Sequence, residues 1–317
     1  MNVAGSTKPV TNSEHVSSTT TPLSPSLEPE LPTPDSTTRD TRGWRAWLRS
    51  FRPSTALFWG MHVVAVVGAI ACFSWKGVLL AIACYFVRMV VVTAAYHRYF
   101  SHRSFKTSRA FQFLLALGAQ SSAQKGVLWW ASHHRHHHKY SDTPKDIHSV
   151  RRSGFWHSHI GWILGDDWDH TNDAMIADLN KYRELRFLNH RAVNLLPAVG
   201  LALVFALVGG LPGFVWGFMV STVMLWHGSF SINSLSHMFG KRRYETTDDS
   251  RNNWALALLT TGEGWHNNHH HYQSSANQGF RWWEIDVTFY VLRVLAFLGF
   301  IWDLRRPSPA VIAGASA

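Results

Sequence analysis

Residues 78–102 read VLLAIACYFVRMVVVTAAYHRYFSH. The run from Val78 to Tyr96 is apolar and close to the roughly 20 residues that cross a hydrocarbon layer, and it passes without a break into His97-Arg-Tyr-Phe-Ser-His102. An apolar helix ending in two imidazoles sets metal-binding side chains at the edge of a bilayer. Arg88 interrupts the run, and a charge at that depth is costly unless paired. It is therefore expected to face the protein interior.

Three further runs accompany this one: Ala56 to Trp75, Leu195 to Leu211 and Phe214 to Ile232. They predict two hairpins, the first closed by Trp75-Lys76-Gly77 and the second by the Gly-Gly-Leu-Pro-Gly run at 209–213. The fold class expected is an all-α integral membrane protein with four transmembrane helices, over about 56–75, 78–96, 195–211 and 214–232, carrying a cytosolic helical cap. Arg39, Arg42, Arg45, Arg49 and Arg52 precede the first span, and Lys and Arg are frequent over 97–194. The positive-inside rule then places both termini and the central segment on the cytoplasmic side. Ala110 to Ala123 is too short to span and reads as an interfacial helix, as does the run Thr288 to Leu304. Residues 1–43, rich in Ser, Thr and Pro, read as a disordered tail, 44–306 as the membrane domain, and 307–317 as a flexible C-terminal tail.

Composition excludes several classes. With 317 residues, 46% hydrophobic and 16% charged, the chain is too apolar for a disordered protein. Its two cysteines, Cys72 and Cys84, lie inside apolar runs and read as small buried hydrophobes, not a disulfide framework. The net charge of +10 comes without a basic stripe or nucleic-acid motif. An anionic membrane surface or an acidic substrate fits it better than nucleic acid.

Most of the 20 histidines are clustered. Besides His97 and His102 there are His133-His-Arg-His-His-His138, Asn233-Ser-Leu-Ser-His237 and His266-Asn-Asn-His-His-His271. Residues at i, i+3 and i+4 share a helix face, so the spacing predicts that His134, His137 and His138 aim at one point, as do His266, His269 and His270. The i, i+5 spacing of His97 and His102 predicts a helix end or bend between them. Nine imidazoles exceed what one ion takes, about four to six ligands, so two ions are expected. All-nitrogen ligation suits Fe, Zn, Cu or Ni. Asn233, one turn before His237, is placed to hydrogen-bond a metal-bound water. His133, His136 and His271 fall outside the repeated H-x2-H-H pattern and read as incidental; His62 and His227, inside spans, read as packing partners.

At these residues the chain resembles the membrane fatty acid desaturases of the Δ9 stearoyl-CoA type. The pattern H-x4-H, H-x2-H-H, N-x3-H and H-x2-H-H stands here as His97/His102, His134/His137/His138, Asn233/His237 and His266/His269/His270. Tyr96–Arg103, His138–Thr143, Arg151–Trp162 and Gly262–His270 also look like that family's signatures. The resemblance covers about residues 45–306. It implies a histidine-ligated di-iron centre on the cytosolic side, in a bacterial inner membrane or the endoplasmic reticulum, with the nine box histidines as ligands. Two Fe ions would use O2 and two external electrons to desaturate a fatty acyl chain carried on CoA or lipid.

Such a reaction fits the residues, since an unactivated methylene has no acidic hydrogen for side-chain acid–base chemistry to remove. Trp129, Trp130, Trp156, Trp162 and Trp265 are candidates to line an acyl tunnel. Animal acyl-CoA enzymes carry an Arg-Asp pair where this chain has Ser132-His133, and the His-rich boxes look more like bacterial members, some of which act on acyl lipids. Arg151, Arg152, Lys181, Arg183 and Arg186 are candidates to hold phosphates or lipid head groups. No His-Pro-Gly-Gly haem motif occurs, so a separate electron donor of cytochrome b5 or ferredoxin type is expected. The alternatives are a histidine-box hydroxylase, against which the H-x4-H spacing argues, and a metal transport or storage protein, which would carry its ligands at mid-membrane.

Overall fold

The computed structural model describes Met1 and residues 55–314. Met1 apart, these belong to one compact unit, Thr38 to Ala317. The rest of the expected N-terminal tail, and Arg39, Arg42, Arg45, Arg49 and Arg52 with it, lie outside the described residues, as do 315–317.

The described chain is mostly helical. Helix α1 (Ala56–Ala71) leads through a turn at 72–74 into α2 (Trp75–Val92). The turn comes earlier than the Trp75-Lys76-Gly77 expected, because Ser74 caps α2 by accepting a hydrogen bond from the Gly77 amide at 3.0 Å. Helix α2 widens into a π-helical stretch, Thr93–Ser101. After the short strand β1 (Lys106–Thr107) come α3 (Arg109–Gln120), capped by Ser108, then α4 (Val127–Tyr140) and α5 (Val150–Trp156), which continues as a π turn over His157–Gly161.

Helix α6 (Leu196–Pro212) and the stretch formed by π-helical Gly213–Val220, α7 (Ser221–Ser234) and a 3₁₀ turn (Leu235–His237) make the second hairpin. Its bend is at Gly210, whose φ of +58° a side chain would resist. Further along the chain come α8 (Trp254–Leu259), α9 (His266–His271), α10 (Val287–Phe297), strand β2 (Ile301–Trp302) and α11 (Pro309–Ile312).

The hairpins interlock. Both α1 and α2 pack on Gly213–Val220. There Trp216 covers Gly77, where a side chain would clash with the indole, and donates to the Cys72 carbonyl at 2.8 Å. Arg88 is buried, as its place in the run predicts, and reaches Ser221 and Thr222 of α7 and the Ser121 carbonyl, each at 2.8 Å. His62 and His227 tie α1 to α7 through their Nε2 atoms at 3.0 Å, and His227 in turn meets His159 at 3.1 Å. The two cysteines are free and half-buried.

Two helical runs, Trp75–Ser101 and Leu196–His237, are long and apolar enough to cross a membrane; α1 and α10 are shorter apolar helices. Many apolar side chains of α1, α2 and α6 point outward, among them Val63, Ile70, Leu79, Val87, Leu207 and Val208.

Two expectations are corrected at the C-terminal end. The run Thr288 to Leu304 is not one helix: α10 stops before Gly299, whose φ is +79°, and Ile301–Trp302 pairs antiparallel with Lys106–Thr107. Residues 307–314 are not a loose tail either. Val311 is buried, and the Ile312 carbonyl accepts from the Tyr244 hydroxyl at 2.9 Å.

Candidate metal centre

The nine box histidines meet in two groups. His97, His102, His134, His138 and His269 form one, and His137, His237, His266 and His270 the other; within each, the ligand nitrogens all lie within 4.8 Å of one another.

Local helix geometry explains the sorting. The π-helical stretch closes i to i+5 bonds, and the His102 amide donates to the His97 carbonyl at 3.2 Å, so the two rings come to 4.8 Å. The expected bend is thus replaced by a wider helical turn that ends at His102.

The H-x2-H-H boxes are corrected too, since neither aims three rings at one point. With 3.6 residues per turn, i+4 lies about 40° from i and i+3 about 60° the other way, so the i+3 and i+4 rings point roughly 100° apart. In α4, His134 and His138 pair at 4.6 Å in the five-histidine group, while His137 turns to the other. In α9, His266 and His270 pair at 4.4 Å in the four-histidine group, while His269 crosses over. Each box therefore bridges both groups.

Carboxylates that the spacing of histidines does not announce fix the rings. Nδ1 of His137 donates to Asp146 at 2.9 Å, that of His237 to Asp142 at 3.2 Å and that of His270 to Asp248 at 2.5 Å; Nδ1 of His97 meets Glu263. A ring donating from Nδ1 presents its Nε2 lone pair inward. Glu263 is held in turn by buried Arg98 at 3.0 Å, which also reaches Asp286 at 2.9 Å. Gly262 sits at φ +128° with no room for a side chain against Asp286, so glycine is needed there. The segments carrying Asp142 and Glu263 were legible as signatures, but not their roles.

Electrostatics keep most of these rings neutral. Burial, then the neighbouring rings, pushes His134, His138, His266 and His269 well below the usual imidazole value. Burial takes His270 down to about 4 despite Asp248. At His137 burial also opposes the charge, but Asp146 outweighs it and the value rises. Burial works against ionising Asp142, Asp146 and Asp248 as well, yet their imidazole partners hold all three below the carboxylate range, and Glu263 sits at about 2.

The donor set fits bound ions. Among the described residues, Nε2 of His137 and of His270 are buried without a hydrogen-bond partner, a costly arrangement unless a donor or an ion engages the lone pairs. In the five-histidine group the Nε2 atoms stand 2.9–3.0 Å apart along the series 97, 269, 138, 134, 102. Two nitrogens bound at about 2.1 Å and at right angles would be about 3.0 Å apart, whereas tetrahedral angles would open that to about 3.4 Å. The spacing therefore suits an ion with five or six ligands better than a tetrahedral one.

A cavity of about 820 Å³ is lined by His133, His134 and His148 together with Trp129, Trp130, Trp162 and Trp226. Trp156 and Trp265 do not line it, and Trp226 was not anticipated. Asn233 is on its wall, and its carbonyl accepts from Ser158 at 2.8 Å. Arg151, Arg152, Lys181, Arg183 and Arg186 do not reach the cavity. Lys125 and Arg191 do, both bound to Asp169, at 2.8 and 2.5 Å. His271 stacks on Tyr244 at 4.0 Å and His133 donates to the Trp129 carbonyl at 2.8 Å, outside both groups. A buried histidine the boxes did not announce, His148, stacks on His137 at 4.1 Å.

Comparison with known proteins agrees with this site. A family model described as fatty acid desaturase matches residues 73–299. Among relatives, an acyl-CoA C20 Delta5-desaturase of Anemone leveillei is 36% identical over 88% of this chain and 89% of its own length. An sn-1 stearoyl-lipid 9-desaturase of Synechocystis is 39% identical over 81% and 80%, and the Delta-9 acyl-lipid desaturase 2 of Arabidopsis thaliana 33% identical over 85% and 89%. With nine imidazoles in two groups, one of them on the wall of a tryptophan-lined cavity, and a match over most of its length, the chain belongs to the fatty acid desaturase family of oxidoreductases.

Proposed function

We propose that the protein is an O2-dependent acyl desaturase that introduces a cis double bond, at the Δ9 position, into a saturated chain. The observation that carries this reading is the convergence of nine imidazole nitrogens in two groups, one of whose rings, His134, lines a cavity walled largely by tryptophans. His97, His102, His134, His138 and His269 would hold one Fe ion, and His137, His237, His266 and His270 the other, with Asn233 acting through water. When bound, the iron pair supplies the oxidising power that removes two hydrogens from adjacent methylenes, for the balance R-CH2-CH2-R + O2 + 2 electrons + 2 H⁺ giving R-CH=CH-R + 2 H2O.

The protein's own part is positional. Asp142, Asp146, Asp248 and Glu263 hold the rings with Nε2 inward. Trp129, Trp130 and Trp162 line a slot that keeps water from the chain and sets which carbons stop beside His134. At the cavity's polar side Lys125 and Arg191 are balanced by Asp166 and Asp169, which suits a lipid carrier better than the several phosphates of CoA. The outward apolar side chains of α1, α2 and α6 support four spans; the site would face the cytosol, where a separate one-electron donor would feed it. Expression in a host without its own desaturase, followed by mass spectrometry of the fatty acids, should show a monounsaturated product with its double bond at carbon 9. Saturated chains left untouched by metal-loaded protein, or a product retaining oxygen, would refute the reading.

A further inference from the structure

The two histidine groups differ in their access to water. Every ring of the four-histidine group is buried, while His102, His134 and His138 of the other are only partly so. His134 faces the tryptophan-lined cavity. His102 and His138 instead line a second, polar cleft of about 350 Å³ with Arg135, Lys139, Gln273 and Ser274. Neither His102 nor His138 lines the first cavity, and no ring of the four-histidine group lines either one.

From this asymmetry we infer that the cleft is a water-side port to the five-histidine group, through which small hydrophilic species, above all small anions, reach an ion held there while the four-histidine ion stays sealed. The chemistry of the cleft supports it. Arg135 is fixed by the Ser101 and Phe100 carbonyls at 2.8 and 2.9 Å and by Asp178 at 2.6 Å, so its guanidinium stands as a permanent wall. Lys139 is exposed at the rim, and among the described residues the cleft's lining holds two cations and no carboxylate, Asp178 lying outside it; positive side chains lining a cleft concentrate anions within it. Gln273 and Ser274 complete a wall with no large apolar side chain. A desaturating centre consumes protons and makes water, neither of which belongs in a slot filled by an acyl chain, so a separate port gives them a route.

The inference rests on the two-ion reading above, and the experiment separates the two. Purified full-length protein is loaded with iron and its ions are counted; fewer than two per chain would sink the two-ion reading and the port with it. With two bound, EDTA should strip one well ahead of the other, and Gln273→Trp or Ser274→Trp should slow that first loss, while Met61→Trp in the lipid-facing cavity should not. Two ions leaving together, or a first loss slowed only by Met61→Trp, would overturn the port. Should neither cleft variant load two ions, azide titration followed by absorption decides: Lys139→Glu should slow azide association about tenfold, and an unchanged rate would overturn the inference.

Discussion

His137 and His138 are neighbours in the chain but serve different groups, and this decides what single substitutions should do. His137→Ala or His237→Ala removes a ligand from the four-histidine group alone. Metal analysis of purified protein should find iron falling from two ions toward one, with activity abolished. His134→Ala and His269→Ala should act likewise on the other group. His271→Ala, which loses only the Tyr244 stack and a hydrogen bond to the Val311 carbonyl, should keep both ions. Equal metal loss at His271 and His269 would show the grouping to be wrong. Asp248→Asn keeps the shape beside His270 but removes the charge, and partners of this kind typically cost about 10–100-fold in metal affinity; competition with a chelator reads it. The two histidine groups were legible because imidazoles repeated at helical spacing stand out. Their carboxylate partners were not, since Asp142, Asp146 and Asp248 come from irregular segments whose positions only tertiary packing fixes.

At the scale of elements, hydropathy found all four apolar segments, because a run that faces lipid or a buried helix must be apolar on every side. It misplaced the first turn, where one serine hydroxyl outweighs the reading of Trp75-Lys76-Gly77 as a break, and it had no signal for the widening at 93–101. Such stretches leave little mark on composition, yet this one is what allows His97 and His102 to face one centre. Arg88 shows the same dependence on partners. Its guanidinium joins α2 to α7 and to the loop after α3. Hydrogen bonds to charged groups contribute about 1.5–3 kcal/mol each, so Arg88→Leu, which leaves Ser221 and Thr222 without that donor, should lower stability by at least about that much. Thermal melting in detergent checks this, and Ser221→Ala, which removes one of the three contacts, should cost less. An Arg88→Leu protein as stable as the parent would mean that the side chain contributes nothing to the joint.

Taken as a whole, the molecule gathers neutral imidazoles in a buried interior, which should make its metal-free form sensitive to acid. His134, His138, His148, His266 and His269 all sit well below the ordinary value of 6.5, chiefly through burial. In the unfolded chain the same rings take up protons near pH 6.5. Between that pH and their depressed folded values the unfolded state binds more protons, so stability must fall as pH falls, by up to about 1.4 kcal/mol per pH unit for each such ring. His137 works the other way, since its raised value favours the folded state once protonated, but it is one ring against those five and against His102 and His270, which are lowered as well. The carboxylates do not enter this window. Asp142, Asp146, Asp248 and Glu263 are held below their ordinary values, so their contribution is intact above about pH 4.5 and is lost only below it. Metal-free protein should therefore melt progressively lower from pH 7 to pH 5, while protein loaded with metal, whose rings are occupied, should hold its melting temperature over much of that range. A metal-free profile flat across the window would mean that the rings stay protonated or solvated in the folded state, and the buried centre would have to be redrawn.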